Sequence, residues 1–435
     1  MRSASLALSL ALVAAPALAA TPAAEPPPLT LGAAVDRALS SNLTLARARR
    51  ELPWAEAQRK GALAAVLPKV AAFANLGLNS EEVAFGEPPD DRVVLPKQDW
   101  DWRVTVTQPL FAGLREKRAY DQARLAVATA SETERRAAED VVLLVASSWA
   151  AAVASERLVA VEEKNVALVD ARARQARDLF EAGETTRVDL LRAEADRKAA
   201  EGRLVAARQA LTEALASLRV ALALDGPVRV AEPSAPLPPL PSEEELAALA
   251  LGRPDVRQAE QALSAATLEV KKQQGAHLPV VFAEGGYIRQ KRAFPTEEYA
   301  YGALRMSLDV FRGGEIAARV AAARERETQA RLALEELRRR VREEVRVAVS
   351  SVESARSQRT LSEERLAAAE ADYAQTFEQY KGQLLTVLDA QSAETSLAEA
   401  RRVRVAAQLG VFLAEVRAWH AAGSLVPTAV KEIPR

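Results

Sequence analysis

The sequence predicts a mainly α-helical chain with membrane β-strands, written as two copies of one unit. Three observations carry this. The hydrophobic period switches from helical spacing to strict alternation and back, twice. Ala, Leu, Glu and Arg dominate while aromatic residues make up only 5%, the composition of long helices. Four short passages also recur in the same order. "RALSSNLTLARARREL" (37–52) answers "LALGRPDVRQAEQAL" (249–263), and Leu67-Pro68 answers Leu278-Pro279. "QPLFAG" (108–113) answers "LDVFRGG" (308–314), and "FEAGETTRVDLLRAEA" (180–195) answers "FEQYKGQLLTVLDAQS" (377–392). The offsets are 211, 211, 200 and 197 residues, too long for a solenoid period and ordered as an internal duplication.

Residues 1–19 read as a secretory signal peptide. Arg2 is the basic start, Leu6 to Ala15 the apolar core, and Ala17-Leu18-Ala19 the small-residue cleavage site. The first repeat is then 20–232. Residues 30–66 read as helix, capped by Thr30, with Ala34, Ala38, Leu45 and Ala48 in period. Pro53 predicts a kink or break there.

From Pro68 the period becomes two, giving a strand at about 68–79 with Val70, Ala72, Ala74, Leu76 and Leu78 on one face. Gly86, Pro88, Pro89, Asp90, Asp91 and Pro96 make 80–98 a loop. A second strand at about 100–110 sets Trp100, Trp102, Val104 and Val106 against Asp99, Asp101, Arg103, Thr105 and Thr107. An apolar face with tryptophans at one end and a charged face behind it fits a barrel wall between lipid and water.

After Gly113 the helical period returns and stays. Val141, Val145, Trp149 and Ala152 form a stripe that Leu158, Val161 and Leu168 continue, at coiled-coil-like spacings. Residues 114–180 would span about 100 Å at about 1.5 Å per residue, so this helix is a rod. "DGPVRVAEPSAPLPPLP" (225–241) is the linker between copies.

The second repeat, 233–424, has strands at about 279–290 and 299–311 around a loop at 291–298. Ala300, Gly302, Leu304, Met306, Leu308 and Val310 alternate with Tyr301, Arg305, Ser307 and Asp309. At the 200-residue offset the apolar face of one copy remains the apolar face of the other, which a one-residue slip would invert. The helical stripe then runs through Val341, Val345, Ala348, Val352 and Ala355 to Leu366, Ala369, Tyr373, Phe377 and Tyr380. Residues 425–435 read as a disordered tail.

Several functions are excluded. The 58 Lys and Arg balance 59 Asp and Glu and are interspersed, which argues against a nucleic-acid partner. With no Cys, the chain has no disulfide and no Cys metal site. His277 and His420 have no carboxylate pair at ligand spacing, and "FRGGE" and "EGGY" lack the Lys of a phosphate loop. No enzyme activity, cofactor or metal is expected. The segment 141–155 is too short and too diluted by Ser and Ala for a transmembrane helix.

At the four repeated passages the chain resembles the TolC-like outer-membrane efflux proteins, the outer-membrane factors of tripartite efflux and type I secretion systems. The similarity rests on "ALSSNLTL" and "ALGRPDV", the two Leu-Pro pairs, "QPLFAG" and "DVFRGG", and "LLRAEA" and "VLDAQ", and covers about residues 29–422. It implies a homotrimer in which each chain gives four strands to a 12-stranded outer-membrane β-barrel, and its helices to a long periplasmic α-barrel. Trp100, Trp102, Val104, Val106, Leu304, Met306 and Leu308 would face outer-membrane lipid. Function would be passive export of small molecules or proteins, driven by an inner-membrane transporter through a periplasmic adaptor. The resemblance makes 183–189 and 380–389 the pore-narrowing tips. Asp389 and Asp189 fall on acidic gate positions, and Thr386 stands where many members have another acid. Gly183, Tyr380 and Gly382 mark the adaptor-contacting turns, with Tyr380 in place of the Gly that copy one has at Gly183. The plainer reading of both acids is a solvated helix carboxylate. The alternative for the whole chain is a periplasmic coiled-coil scaffold or adaptor without a channel.

Overall fold

A computed structural model describes residues 27–86, 92–232, 237–292, 296–382 and 384–426. The segment 1–19 read as a signal peptide, the tip of the 80–98 loop and most of the tail lie outside these residues. The first repeat runs α1 (Leu31–Ser41), α2 (Leu43–Ala64), β1 (Lys69–Leu78), β2 (Val83–Phe85), β3 (Arg92–Leu95), β4 (Gln98–Ala112), α3 (Arg115–Glu181) and α4 (Arg187–Leu222). The second runs α5 (Glu243–Ala250), α6 (Pro254–Gln274), β5 (Val280–Gln290), β6 (Glu298–Ser307), α7 (Glu315–Lys381) and α8 (Val387–Ala421).

The first helical stretch breaks at Asn42, not at Pro53. Asn42 is extended, and its Oδ1 accepts the N–H groups of Thr44 at 2.9 Å and Leu45 at 3.3 Å, capping α2. Its Nδ2 donates to the Ala221 carbonyl at 2.9 Å, pinning the break to the end of α4. Pro53 sits inside α2 on an exposed turn, where water can satisfy the carbonyl it leaves unbonded. Thr30 caps α1 through the Ala33 N–H.

The four long strands form one antiparallel sheet in the order β1-β4-β5-β6. The register stacks Ala72 on Val104 and Tyr287, and Val70 on Val106 and Gly285. Leu304 pairs with Ala283 and Met306 with Val281. Alternation therefore puts Trp100, Trp102, Val104, Val106, Leu304 and Met306 on one face. Thr105 pairs with Ala71 and Gly286, so it shares the opposite face with Arg103, Glu284, Tyr301 and Arg305. Leu308 lies past the strand that was expected to reach 311: β6 stops at Ser307, which pairs with Val280, the first residue of β5. Beyond it no partner strand remains. The 80–98 region was expected to be loop alone and instead carries the short antiparallel pair β2–β3.

Strand and rod meet through two glycines. Gly113 has φ +63, and a Cβ there would lie 2.0 Å from the Gly275 carbonyl oxygen, so only glycine allows α3 to leave beside α6. From Gly113 α3 and from the left-handed Gly314 (φ +82) α7 each run 67 residues, about 100 Å at about 1.5 Å per residue.

The main core lies where α1, α3, α4 and α8 cross. Val141, Val145, Trp149, Leu218, Leu222, Val405 and Leu409 pack there, and the Trp149 indole donates to the Leu29 carbonyl at 3.1 Å. The apolar run near 141–155 belongs to this core. A second core joins Leu246, Ala250 and Val256 to Val341 and Val345, the duplicates of Val141 and Val145. The linker begins as an ordered strap, with Val230 bridged to Leu29. The tail's first residues are also ordered, unlike the expected disorder from 425. Leu425 is only 1% exposed, and its N–H donates to the buried Glu139 carboxylate at 2.9 Å.

The Asn42 break generates a test. Asn42→Ala removes a cap and leaves a buried carbonyl unpaired, so it should cost about 1–3 kcal/mol. Asn42→Asp keeps the cap, loses the donor and should fall between. The helical circular-dichroism melting midpoint reads both.

Candidate functional site at the helix tips

The two helical hairpins end in equivalent turns. At the end of α3 the Gly183 N–H donates to Phe180 O at 3.0 Å and the Glu184 N–H to Leu179 O at 2.8 Å, with Gly183 left-handed at φ +77. At the end of α7 the Leu384 N–H donates to Gln379 O at 2.9 Å. Thr186 and Thr386 then cap α4 and α8. All these pairs lie 200 residues apart, which corrects the 197-residue alignment of the tip passages. The chance match of Phe180 with Phe377 had shifted it by three residues.

Tyr380 is therefore the counterpart of Phe180 and does not occupy a turn position. It lies in the last turn of α7, only 5% exposed, and burial pushes its phenol above the usual range. Gly382, the C-cap of α7, answers Ala182. The counterpart of Gly183 is position 383, outside the described residues.

Asp189 and Asp389 both occupy the third position of their helices. The Asp389 N–H donates to Thr386 Oγ1 at 3.3 Å. Its carboxylate in turn accepts the Thr386 N–H at 3.0 Å and hydroxyl at 2.6 Å, closing a capping box. Asp189 accepts the hydroxyls of Thr186 at 2.7 Å and Thr185 at 3.2 Å, and Arg192 lies 4.0 Å away. The Thr386 bonds hold Asp389 below the ordinary carboxylate range, and the Thr186 hydroxyl does the same for Asp189. Both acids are charged at neutral pH. Thr386 thus supplies the cap that locks Asp389.

Sequence reasoning missed a polar cluster just above. Arg172 of α3 is 1% exposed and pairs with Asp196 of α4 at 2.6 Å and Glu394 of α8 at 3.6 Å. Gln391 donates to the other Asp196 oxygen at 3.0 Å. These contacts tie the two hairpins of one chain together. The signal was available: Asn165, Val169, Arg172 and Ala176 share the buried stripe of α3, and a charge on such a stripe demands partners. Burial raises the Glu394 carboxyl above its ordinary value.

A sheet with one apolar face, two open edges, and helical rods leaving one end is the architecture of a membrane conduit. The sequence profile described as "Outer membrane efflux protein" matches residues 34–224 and 246–423, most of the chain. The chain belongs to this family. It is similar to the outer membrane efflux protein BepC of Brucella suis, 26% identical over 336 residues covering 75% of this chain and 74% of BepC. Its fold matches the crystal structure of VceC of Vibrio cholerae with a TM-score of 0.78 at 18% identity, covering 90% of this chain and 96% of VceC. The CmeC outer membrane channel of Campylobacter jejuni matches with a TM-score of 0.79 at 15% identity, covering 93% and 90%. Membership makes the chain an outer-membrane efflux channel with periplasmic helices and sets aside the scaffold alternative.

The buried cluster generates a test with a worked sign. Arg172→Met leaves two carboxylates facing each other without their cation and should cost about 3–5 kcal/mol. Glu394 has a raised folded value, so its protonation favours the folded tip. That stability is fully present below the ordinary glutamate range and is lost as pH rises through the raised folded value. Glu394→Gln should therefore flatten the pH dependence of amide exchange in the first turns of α8. An unchanged pH profile would contradict this.

Proposed function

We propose that three copies of this chain close a 12-stranded barrel in the outer membrane and conduct solutes passively from the periplasm. A periplasmic adaptor and an inner-membrane transporter supply the drive. One observation carries this reading. Four strands leave β1 and β6 as open edges, each a row of unpaired backbone groups, beside a face of Val, Ala, Leu and Trp that suits lipid. Lipid cannot satisfy such edges, and four strands are too few to close alone. In the order β1-β4-β5-β6, edge β6 runs antiparallel to β1, so copies can be added edge to edge.

Trp100, Trp102, Val104, Val106, Leu304 and Met306 then face lipid, and Thr105 and Arg305 face water. The helix tips point into the periplasm, where the exposed turns at Gly183 and Gly382, flanked by exposed Val188, Leu191, Leu384 and Leu388, offer the adaptor its contact. Three Asp389 carboxylates form an acidic ring at the narrow end, with Asp189 a weaker contributor because Arg192 lies beside it.

The parity of the strands is testable by substitution. Val106→Arg places a charge in lipid and should cost about 2–4 kcal/mol, whereas Thr105→Arg on the water face should be mild. Loss of heat-modifiable trimer in the first variant only is expected; equal losses would remove the assignment.

The gate is tested in planar bilayers. Multivalent cations added on the periplasmic side should block the channel by relieving repulsion in the acidic ring. Asp389→Ala should abolish most of the block and Asp189→Ala less of it. Thr386→Val, which removes the hydroxyl but not the charge, should keep it. Block that survives unchanged in Asp389→Ala reduces this residue to a helix cap.

A further inference from the structure

The water-facing side of the sheet carries an arrangement of charge that passive conduction alone does not require. Arg103 of β4 lies over the Phe73 ring of β1, its guanidinium carbon 5.0 Å from the ring centre. This cation–π contact uses the guanidinium's charge and leaves its N–H donors available to a further partner. No carboxylate among the described residues is in ion-pair reach of it. Two strands away, Tyr301 donates its hydroxyl to Glu284 at 2.8 Å, and Glu284 pairs with Arg305 at 3.0 Å. Gly286 makes room for this: a Cβ there would lie 2.9 Å from the Tyr301 ring and 2.8 Å from the Val104 carbonyl oxygen.

The charges are unevenly distributed along the strands. At the loop end, Asp99 is neutralised by Arg292, which donates to it from Nε at 2.9 Å, and Asp101 lies one level in. From Arg103 to the helix end, the same face carries Lys69, Arg103 and Arg305 against Glu284 alone. Two cations per chain are therefore uncompensated at these levels.

We propose that Arg103, seated on Phe73 beside the Tyr301–Glu284–Arg305 array, forms in the assembled channel a basic girdle that favours anions and engages carboxylate-bearing solutes. This rests on the channel reading above. Three copies bring three Arg103 side chains to one level of the lumen, each with planar donors that match a carboxylate. The girdle stands in series with the acidic ring of Asp389 at the far end of the rods. Solutes thus meet cation-favouring and anion-favouring zones in turn.

The test uses the purified full-length assembly in planar bilayers, with a KCl gradient at low ionic strength where surface charge is least screened. Arg103→Gln should lower the chloride-to-potassium permeability ratio about threefold and remove current block by citrate added at the loop side. Arg103→Lys should preserve the ratio and weaken only the citrate block, because a point charge replaces a planar fork. Thr105→Glu, which leaves Arg103 in place and offsets its charge from the same face, should shift the ratio in the direction of Arg103→Gln. A conducting channel in which Arg103→Gln and Thr105→Glu leave both ratio and block unchanged overturns the girdle and leaves the channel reading standing. Wild-type protein that inserts and passes no current overturns both.

Discussion

The structure depends on the unpaired backbone of two strand edges. β1 and β6 bound a sheet whose one face is too apolar for water and whose edges are too polar for lipid. Neither problem has a solution within one chain. Edge-to-edge addition solves both, because the same closure that pairs the edges turns the apolar face outward and encloses the polar one. The placement of the helices follows from this. The stripes of α3 and α7 are already buried within one chain, so in the proposed closure the ring of strand ends sets preformed helical hairpins side by side.

The duplication explains how one chain supplies both an outer and a periplasmic wall. The upper elements repeat at 211 residues, with Asn42 answering Arg253 and Lys69 answering Val280. From β4 and β6 onward everything repeats at 200, because the first repeat holds the extra β2–β3 pair between its strands. The two tips then arrive at the same depth, with Thr186 and Thr386 as caps and Asp189 and Asp389 behind them. What differs is what joins the tips. Arg172, Asp196 and Glu394 form one asymmetric contact between hairpins and give the end of the tube a defined arrangement.

Periodicity made the architecture legible. Alternation in 68–79 and 100–110, the two glycine-marked exits and the stripes of α3 and α7 follow from side-chain direction, which sequence reports directly. Features set by partners were not legible. Pro53 looked like the break because an interior proline is the stronger local signal, while Asn42 caps Thr44 and Leu45 and is held in place by Ala221, 179 residues away. The end of β6 depends on where β5 begins, so Leu308 was assigned to a strand that had no partner for it. The tip alignment followed a shared Phe, although the cap Thr and its Asp, fixed by helix geometry, hold the true offset. Arg172 looked like one more charge among many until its position on a buried stripe was set by packing.

The closure of the barrel is most directly tested by native mass spectrometry of the full-length protein extracted from outer membranes in mild detergent. The account predicts a species of three chains, with no folded monomer at any protein concentration, since a lone sheet cannot satisfy its edges. A stable, folded single chain that retains its strands in the membrane would contradict it.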